Sequence, residues 1–476
     1  MNTTATTRIE HDLIGDRELP NDVYYGVHTL RALENFPITG TAISIYPDLI
    51  RALASIKKAA ALANRDLGLL SDAHCQAIGA ACDELLAGKL HEQFVVDVIQ
   101  GGAGTSTNMN ANEVIANRAL ELLGHAKGEF QHLHPNEHVN IGQSTNDVYP
   151  SALKIAAWHG ISGLIESMAY LRAAFEAKAA EFKDVLKMGR TQLQDAVPMT
   201  LGQEFTTYAV MLAEDEQRLR EAQQLICELN MGATAIGTGI TAHPDYAARV
   251  IAHLRAITGI PLATAPNLIE ATQDCGAFVQ LSGVLKRVAT KLSKSCHDLR
   301  LLSSGPRAGF GEINLPAVQA GSSIMPGKVN PVIPEVVNQI AYEVIGNDVT
   351  VTFAAEAGQL QLNAFEPIIA HSLFKSVGHL SAGCRTLADR CVSGITANVQ
   401  HMRDAVTNSI GIVTALNPYI GYAHATAVAQ AAHASGGSVY DEVLRRGLMT
   451  REQLDAVLRP ETLTQPVPLN LAPRLS

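Results

Sequence analysis

Apolar residues recur along this chain at alternating intervals of three and four over several long stretches. The clearest follows Asn267, where Phe278, Leu281, Leu285, Val288, Leu292, Ser295, Leu299 and Leu302 trace a seven-residue repeat that stops at Gly305-Pro306. An α-helix turns once in about 3.6 residues, so this spacing lays one apolar stripe along a long helix, and Gly-Pro ends it. A second helix is expected over 201–229, with Phe205, Leu212, Leu219 and Ile226 seven apart. A third is expected from just after Pro150 to about Lys183, carrying Ile155, Trp158, Ile161, Ile165, Met168 and Leu171. A fourth is expected over 333–357.

Helices of this length are too long for one small globule. They predict a bundle whose exposed seams associate with other copies of the chain. A lone coiled-coil rod is the alternative, but 37 glycines and 20 prolines, gathered between the helices, favour shaped loops around a bundle. The expected fold class is mainly α: a long-helix bundle with smaller N- and C-terminal domains. The boundaries fall at 1–145, 146–400 and 401–476, and the last part ends in a loose Pro-rich segment, 464–476.

Composition agrees. Aromatic residues are only 5% and alanine is abundant, which favours close-packed helices over sheets. With 476 residues, 47% of them apolar, the chain can bury a large core. Net charge is −10, from 36 Lys+Arg against 46 Asp+Glu, and no basic run interrupts it. Nucleic acid and anionic membranes are therefore not expected partners. An acidic chain that binds an anion has to gather positive potential locally, from a few cations and backbone donors.

The seven cysteines (Cys75, Cys82, Cys227, Cys275, Cys296, Cys384 and Cys391) are scattered, odd in number and never in a CxxC pair. Free thiols in a reducing cytosol are expected, not a disulfide frame or a zinc site. Met1–Asp16 is polar, and no stretch of about 18 apolar residues exists, so the expected location is cytoplasmic with no membrane span.

Three glycine- and hydroxyl-rich segments punctuate the helices: 101–110, 142–147 and 321–330. The third superficially looks like a phosphate loop, but five residues separate its glycines and Val329 stands where a magnesium-binding hydroxyl would be needed. Gly237-Thr-Gly239 lacks the third glycine and the βαβ setting of a dinucleotide site. His132, His134 and His138 lie close enough to suggest a metal, yet no Cys or carboxylate pattern accompanies them, and a polar loop around Pro135 is the plainer reading. No metal ligand is assigned.

The 321–330 segment joins features with one physical purpose. Its glycines let backbone N–H groups curl inward. Ser322 and Ser323 offer a base and a donor, Lys328 a positive charge, and Asn330 a donor and an acceptor. A serine hydroxyl takes a carbon-bound proton only if its alkoxide is stabilised by cations and N–H groups away from water. A solvated Ser/Gly loop is the bland alternative.

Gly-Ser-Ser-x-Met-Pro-x-Lys-x-Asn resembles the signature of the aspartase/fumarase superfamily. The likeness extends to Gly101–Glu113, ending Thr-Asn-Met-Asn-x-Asn-Glu, and to Gly189-Arg-Thr-Gln-Leu-Gln-Asp195, three regions in the family's order. Asp22-Val-Tyr-Tyr-Gly-Val-His-Thr-Leu-Arg31, Thr145 within Gln143–Asp147, and Gly358-Gln-Leu-Gln-Leu-Asn363 are similar to the ammonia-lyase branch rather than the hydratase branch. Thr414–Tyr422 is closer to the hydratases. Gln192 stands where the hydratases, and some members of the ammonia-lyase branch, carry a histidine paired with a carboxylate matching Glu335. In the hydratases that histidine is implicated in handling water; a glutamine cannot titrate near neutral pH.

The resemblance implies a carbon–nitrogen lyase that converts L-aspartate to fumarate and ammonia through an enediolate. Ser322 would be the base. Thr105, Ser144, Thr145 and Ser323 would surround the carboxylate beside the deprotonated carbon. Lys328, Asn330 and Thr191 would hold the other, Asn146 and Gln192 would contact the amine, and Glu335 would support Gln192's position. No cofactor is implied, with activation by Mg2+ left open, as is a second anion site near His134–His138. A homotetramer with sites shared between subunits is implied, because a thirty-residue helix of about 45 Å separates the loops. The alternatives are a fumarate hydratase and a catalytically silent helical scaffold.

Overall fold

The computed structural model describes residues 7–466 and residue 468. The fold is mainly α, with four two-stranded sheets among the described residues. By contact density it divides into two compact units. The first gathers the described parts of 1–166, 215–289 and 340–381, and the second those of 167–214, 290–339 and 382–476. Every junction falls inside a long helix. The segment 464–476 is described only at 464–466 and 468, and the rest of it lies outside the described residues.

In the first unit, the hairpin Thr7–Asp12 with Gly15–Pro20 precedes the helices Val27–Asn35, Pro47–Asp66, Asp72–Leu86 and Thr105–Leu122. Pro47–Asp66 begins with proline at its first turn, where the missing N–H has no helical partner to lose, and Arg65 sits in its last turn. It packs on Asp72–Leu86 and Tyr246–Thr258, burying Ile50, Leu53, Ile56, Ala59, Ala60 and Ala63 completely. Small alanines let these helices approach closely.

The long helices are where the apolar repeat put them, with corrections at their ends. The stretch after Asn267 is two helices. Asn267 caps Leu268–Gln273, and extended backbone at Asp274 breaks the chain before Gly276–Leu302, which carries the whole heptad stripe. The second helix is Leu201–Leu225 and stops short of 229; the third is Thr145–Glu181; the fourth is Val332–Glu356. A fifth, Glu366–Arg390, buries Ile369, Leu373, Val377, Leu380, Cys384 and Leu387 at spacings of three and four, a signal that was present in the sequence.

The third helix starts five residues before Pro150 and runs through it. Proline inside a helix leaves the carbonyl four residues earlier without its donor. Here that carbonyl belongs to Asn146, and Asn230 Nδ2 donates to it at 2.9 Å. A side chain 84 residues away therefore supplies the bond that proline removes.

In the second unit, the hairpin Leu186–Thr191 with Gln194–Thr200 pairs antiparallel with an irregularity between Met188 and Arg190. Met188 reaches into a core formed with Val406, Ile412, Leu416, Val428, Val443 and Leu454 of the short C-terminal helices.

Candidate active site

Thr105 and 144–146 lie in the first unit. Gly101–Gly104 is a loop, but Thr105–Asn110, expected to share it, forms the start of a helix. Gly104 has φ +85°, and a Cβ there would lie 2.3 Å from the Tyr149 ring. Only glycine lets the start of this helix sit against Tyr149 of the Thr145–Glu181 helix. The Thr105 hydroxyl donates to Gly102 O at 2.7 Å and is half-buried.

The Thr-Asn-Met-Asn-x-Asn-Glu run, 107–113, is a buried polar frame. Asn108 Nδ2 donates to Thr145 Oγ1 at 3.2 Å. Lys57, fully buried, donates to Asn108 Oδ1, Asn140 Oδ1 and Gln143 Oε1 at 2.7, 2.9 and 2.9 Å. Burial pulls its ammonium down to a pKa of about 7, while three acceptors around one nitrogen favour the charged form. Glu113, pushed up to about 7 by burial, accepts from Gly26 N, His28 N, Thr29 N and Thr29 Oγ1 at 2.6–3.1 Å. The 107–113 run thus positions its neighbours, while Thr105 at the start of the helix is half-buried.

The turn 144–147 is held from below by Asp147, fully buried and raised to about 6 by burial. Its oxygens accept from Ser144 N at 2.9 Å and Gly232 N at 3.1 Å. Asn146 N–H donates to Ser144 Oγ at 3.2 Å, and Asn146 Nδ2 to Ala235 O at 2.7 Å. Ala235 and Thr234 both have positive φ, +48° and +38°. Such backbone strain in non-glycine residues persists only where the surroundings enforce it. Lys57, Asp147, Asn230 and the 232–239 loop are the parts that sequence reasoning missed. Gly237-Thr-Gly239, set aside as a weak nucleotide motif, belongs to this support.

Thr191, Gln192, Ser322, Ser323, Lys328, Asn330 and Glu335 lie in the second unit. Gln192 and Leu193 form the two-residue turn of the hairpin, with φ +54° and +62°. Positive φ at both positions suits the twist of a tight hairpin but strains residues with a Cβ. Thr191 and Gln192 are exposed at this tip. Next to them, Arg190 Nη1 meets Glu312 Oε1 at 2.5 Å and covers the Phe310 ring at 4.3 Å. Buried Lys187 pairs with Glu204 and Glu312 at 2.5 and 2.9 Å.

The 321–330 loop is closed by Gly321 N–H on Lys328 O at 2.9 Å and by Asn330 Nδ2 on Gly321 O at 2.6 Å. A Cβ at Gly321 would lie 2.6 Å from Lys328 O, so the closure requires glycine. Asn330 is thus engaged with its own loop. Ser322 Oγ accepts from Ile324 N and Met325 N at 3.2 and 2.9 Å. Two backbone donors aimed at one hydroxyl oxygen favour its deprotonated form. Ser323 and Lys328 are exposed. Glu335 lies 4.0 Å from Arg300 Nη2, and that guanidinium is its ion-pair partner.

His134 Nδ1 accepts from Asn136 N and Glu137 N, and His138 Nδ1 accepts from His134 N at 2.9 Å. Among the described residues, His132, His134 and His138 do not converge as a ligand set.

The chain belongs to the lyase family, which it matches over residues 15–346, and residues 412–465 match the fumarase C C-terminus. It is 60% identical over 459 residues to the aspartate ammonia-lyase of Helicobacter pylori strain J99, covering 96% of this chain and 98% of that protein. It is 55% identical over 460 residues to the aspartate ammonia-lyase of Escherichia coli strain K12, covering 96% of each. Among solved structures, a Brucella melitensis fumarate lyase:delta crystallin bound to cobalt is similar with TM-score 0.95 and 55% identity, covering 97% of this chain and 100% of that one. The class II fumarase of Schistosoma mansoni reaches TM-score 0.91 at only 34% identity, covering 96% and 98%.

Proposed function

We propose that this chain is an aspartate ammonia-lyase, converting L-aspartate reversibly to fumarate and ammonia. The relatives' identity over nearly the whole chain supports the ammonia-lyase branch, and Gln192 supports it chemically. An amide at that position donates and accepts hydrogen bonds but cannot shuttle a proton to water.

The observation that carries the mechanism is Ser322 Oγ receiving two backbone N–H groups. As alkoxide, Ser322 takes a proton from Cβ. The C–H electron pair flows into the adjacent carboxylate and gives an enediolate. Thr105, Ser144, Thr145 and Ser323 donate to that group, each aligned donor lowering the barrier by about 3–4 kcal/mol in a dry site. The enediolate collapses to the Cα–Cβ double bond as the C–N bond breaks, and the ammonium leaves as ammonia. Lys328, Asn330 and Thr191 hold the α-carboxylate, and Asn146 and Gln192 hold the amine. One cation amid neutral donors suits a dianion and not a hard dication, so no step runs through magnesium.

A homotetramer with shared sites is part of the proposal. On the Val332–Glu356 helix, Tyr342, Ile345, Val349 and Phe353 follow one face and are exposed, Phe353 by 70%. A contiguous apolar stripe of this kind is buried by association.

The test is fumarate absorbance with L-aspartate or L-malate as sole substrate. Fumarate from aspartate alone is expected. Fumarate from malate alone would make the chain a hydratase, and none from either would favour the silent scaffold.

A further inference from the structure

The loop between the Thr105–Leu122 helix and the turn Pro135–Val139 plays no part in the proposed chemistry, yet it gathers three ligand-type side chains. His125, Glu129 and His132 each place one donor atom within 4.8 Å of the other two. The imidazoles stack with centroids 3.8 Å apart and planes 8° from parallel, and His125 Nδ1 lies 3.7 Å from Glu129 Oε2.

The backbone builds this cluster. Glu129 N–H donates to Ala126 O at 3.2 Å and His132 N–H to Glu129 O at 3.0 Å, so successive turns bring the ligands to one side. Gly128 N–H is anchored by Asn117 Oδ1 at 2.8 Å. Glu129 Oε2 is oriented by Ala126 N–H at 2.9 Å. Lys127, the loop's own cation, is drawn elsewhere: its Nζ lies 4.2 Å from the Tyr24 ring centre and 4.0 Å from Glu121. It does not neutralise the carboxylate.

We propose that His125, Glu129 and His132 form a binding site for a first-row transition dication of the zinc type, which would staple the 123–134 loop. Two imidazole nitrogens and one carboxylate oxygen are a borderline-soft donor set that suits four-coordination completed by water. Magnesium prefers six oxygens and is disfavoured here. Bonds of about 2.0–2.1 Å put tetrahedral donors about 3.4 Å apart, so the three must close up by about an ångström. The exposed His132 ring can rotate to turn its lone pair toward the other two. All seven cysteines are buried, and among the described residues these three side chains are the His, Cys, Asp and Glu group whose donor atoms come within 4.8 Å of one another.

Zinc chloride titrated calorimetrically into chelator-treated, reduced full-length protein is expected to bind one ion per chain and raise the Tm. His132→Ala and Glu129→Gln should each weaken binding by at least about tenfold, with unchanged circular dichroism and unchanged aspartate turnover. His125→Ala combined with His132→Ala should abolish binding, and millimolar magnesium should not compete. Absence of saturable zinc binding, equal binding by wild type and variants, or displacement by magnesium would each overturn the proposal.

Discussion

Asn230 Nδ2 lies 2.9 Å from the carbonyl oxygen of Asn146. This one contact lets a helix carry a proline in its second turn and fixes the residue proposed to touch the substrate amine. Asn230 is itself buried, and its Nδ2 also lies 3.1 Å from Thr272 Oγ1.

Asn230→Ala should therefore do two things. Leaving the half-buried Asn146 carbonyl without this donor costs on the order of 1 kcal/mol, readable by urea unfolding. The KM for aspartate should also rise severalfold, because Asn146 loses its anchor. A stability loss with unchanged KM would separate Asn146 from substrate binding.

Ser322→Ala removes both the base and the acceptor of two loop N–H groups. Turnover should fall by about a thousandfold or more, while far-ultraviolet circular dichroism stays the same. Activity within tenfold of wild type would mean that another group removes the Cβ proton.

Glu312 lies between two cations, Arg190 at 2.5 Å and Lys187 at 2.9 Å, and is buried with Lys187. Glu312→Gln leaves that ammonium short of compensating charge, and losing one partner of a buried pair costs about 3–5 kcal/mol. Denaturant unfolding tests this. Thr191 and Gln192 follow Arg190 directly, so the KM should rise as well.

Glu366 is buried, and its carboxyl is pushed up to about 8 because burial outweighs the attraction of Lys154. In the unfolded chain it would titrate near 4.5. Between these values the folded chain holds a proton that the unfolded chain releases. Its contribution to stability is therefore full below pH 4.5 and lost as pH rises through 8. Relative to wild type, Glu366→Gln should gain Tm progressively from pH 5 to pH 8. A Tm difference that stays flat across this range would show an ionised carboxylate in the fold.

Phe353→Glu puts a charge in the exposed stripe of the Val332–Glu356 helix. Sedimentation velocity should show smaller species than wild type, with activity lost alongside if the site is shared between subunits. An unchanged sedimentation coefficient would remove that stripe from the interface.

The helices themselves were legible because their signal is local. A stripe such as Leu281, Leu285, Val288 and Leu292 repeats within one helix's own geometry, and Gly305-Pro306 marks its end without outside help. The spacing of Ser322, Lys328 and Asn330 was legible for the same reason, since one short loop holds all three. The start of the Thr145–Glu181 helix was not legible. Pro150 argues locally for a boundary, and only Asn230, 84 residues away, cancels that argument. Nor could the sequence assign the Asn-rich run 107–113 to a buried frame around Lys57, or join Arg190 to Glu312. Those roles depend on which distant polar groups meet out of water. Periodicity and turn chemistry are written residue by residue along the chain, whereas the pairing of buried donors, acceptors and charges exists only once the fold has brought them together.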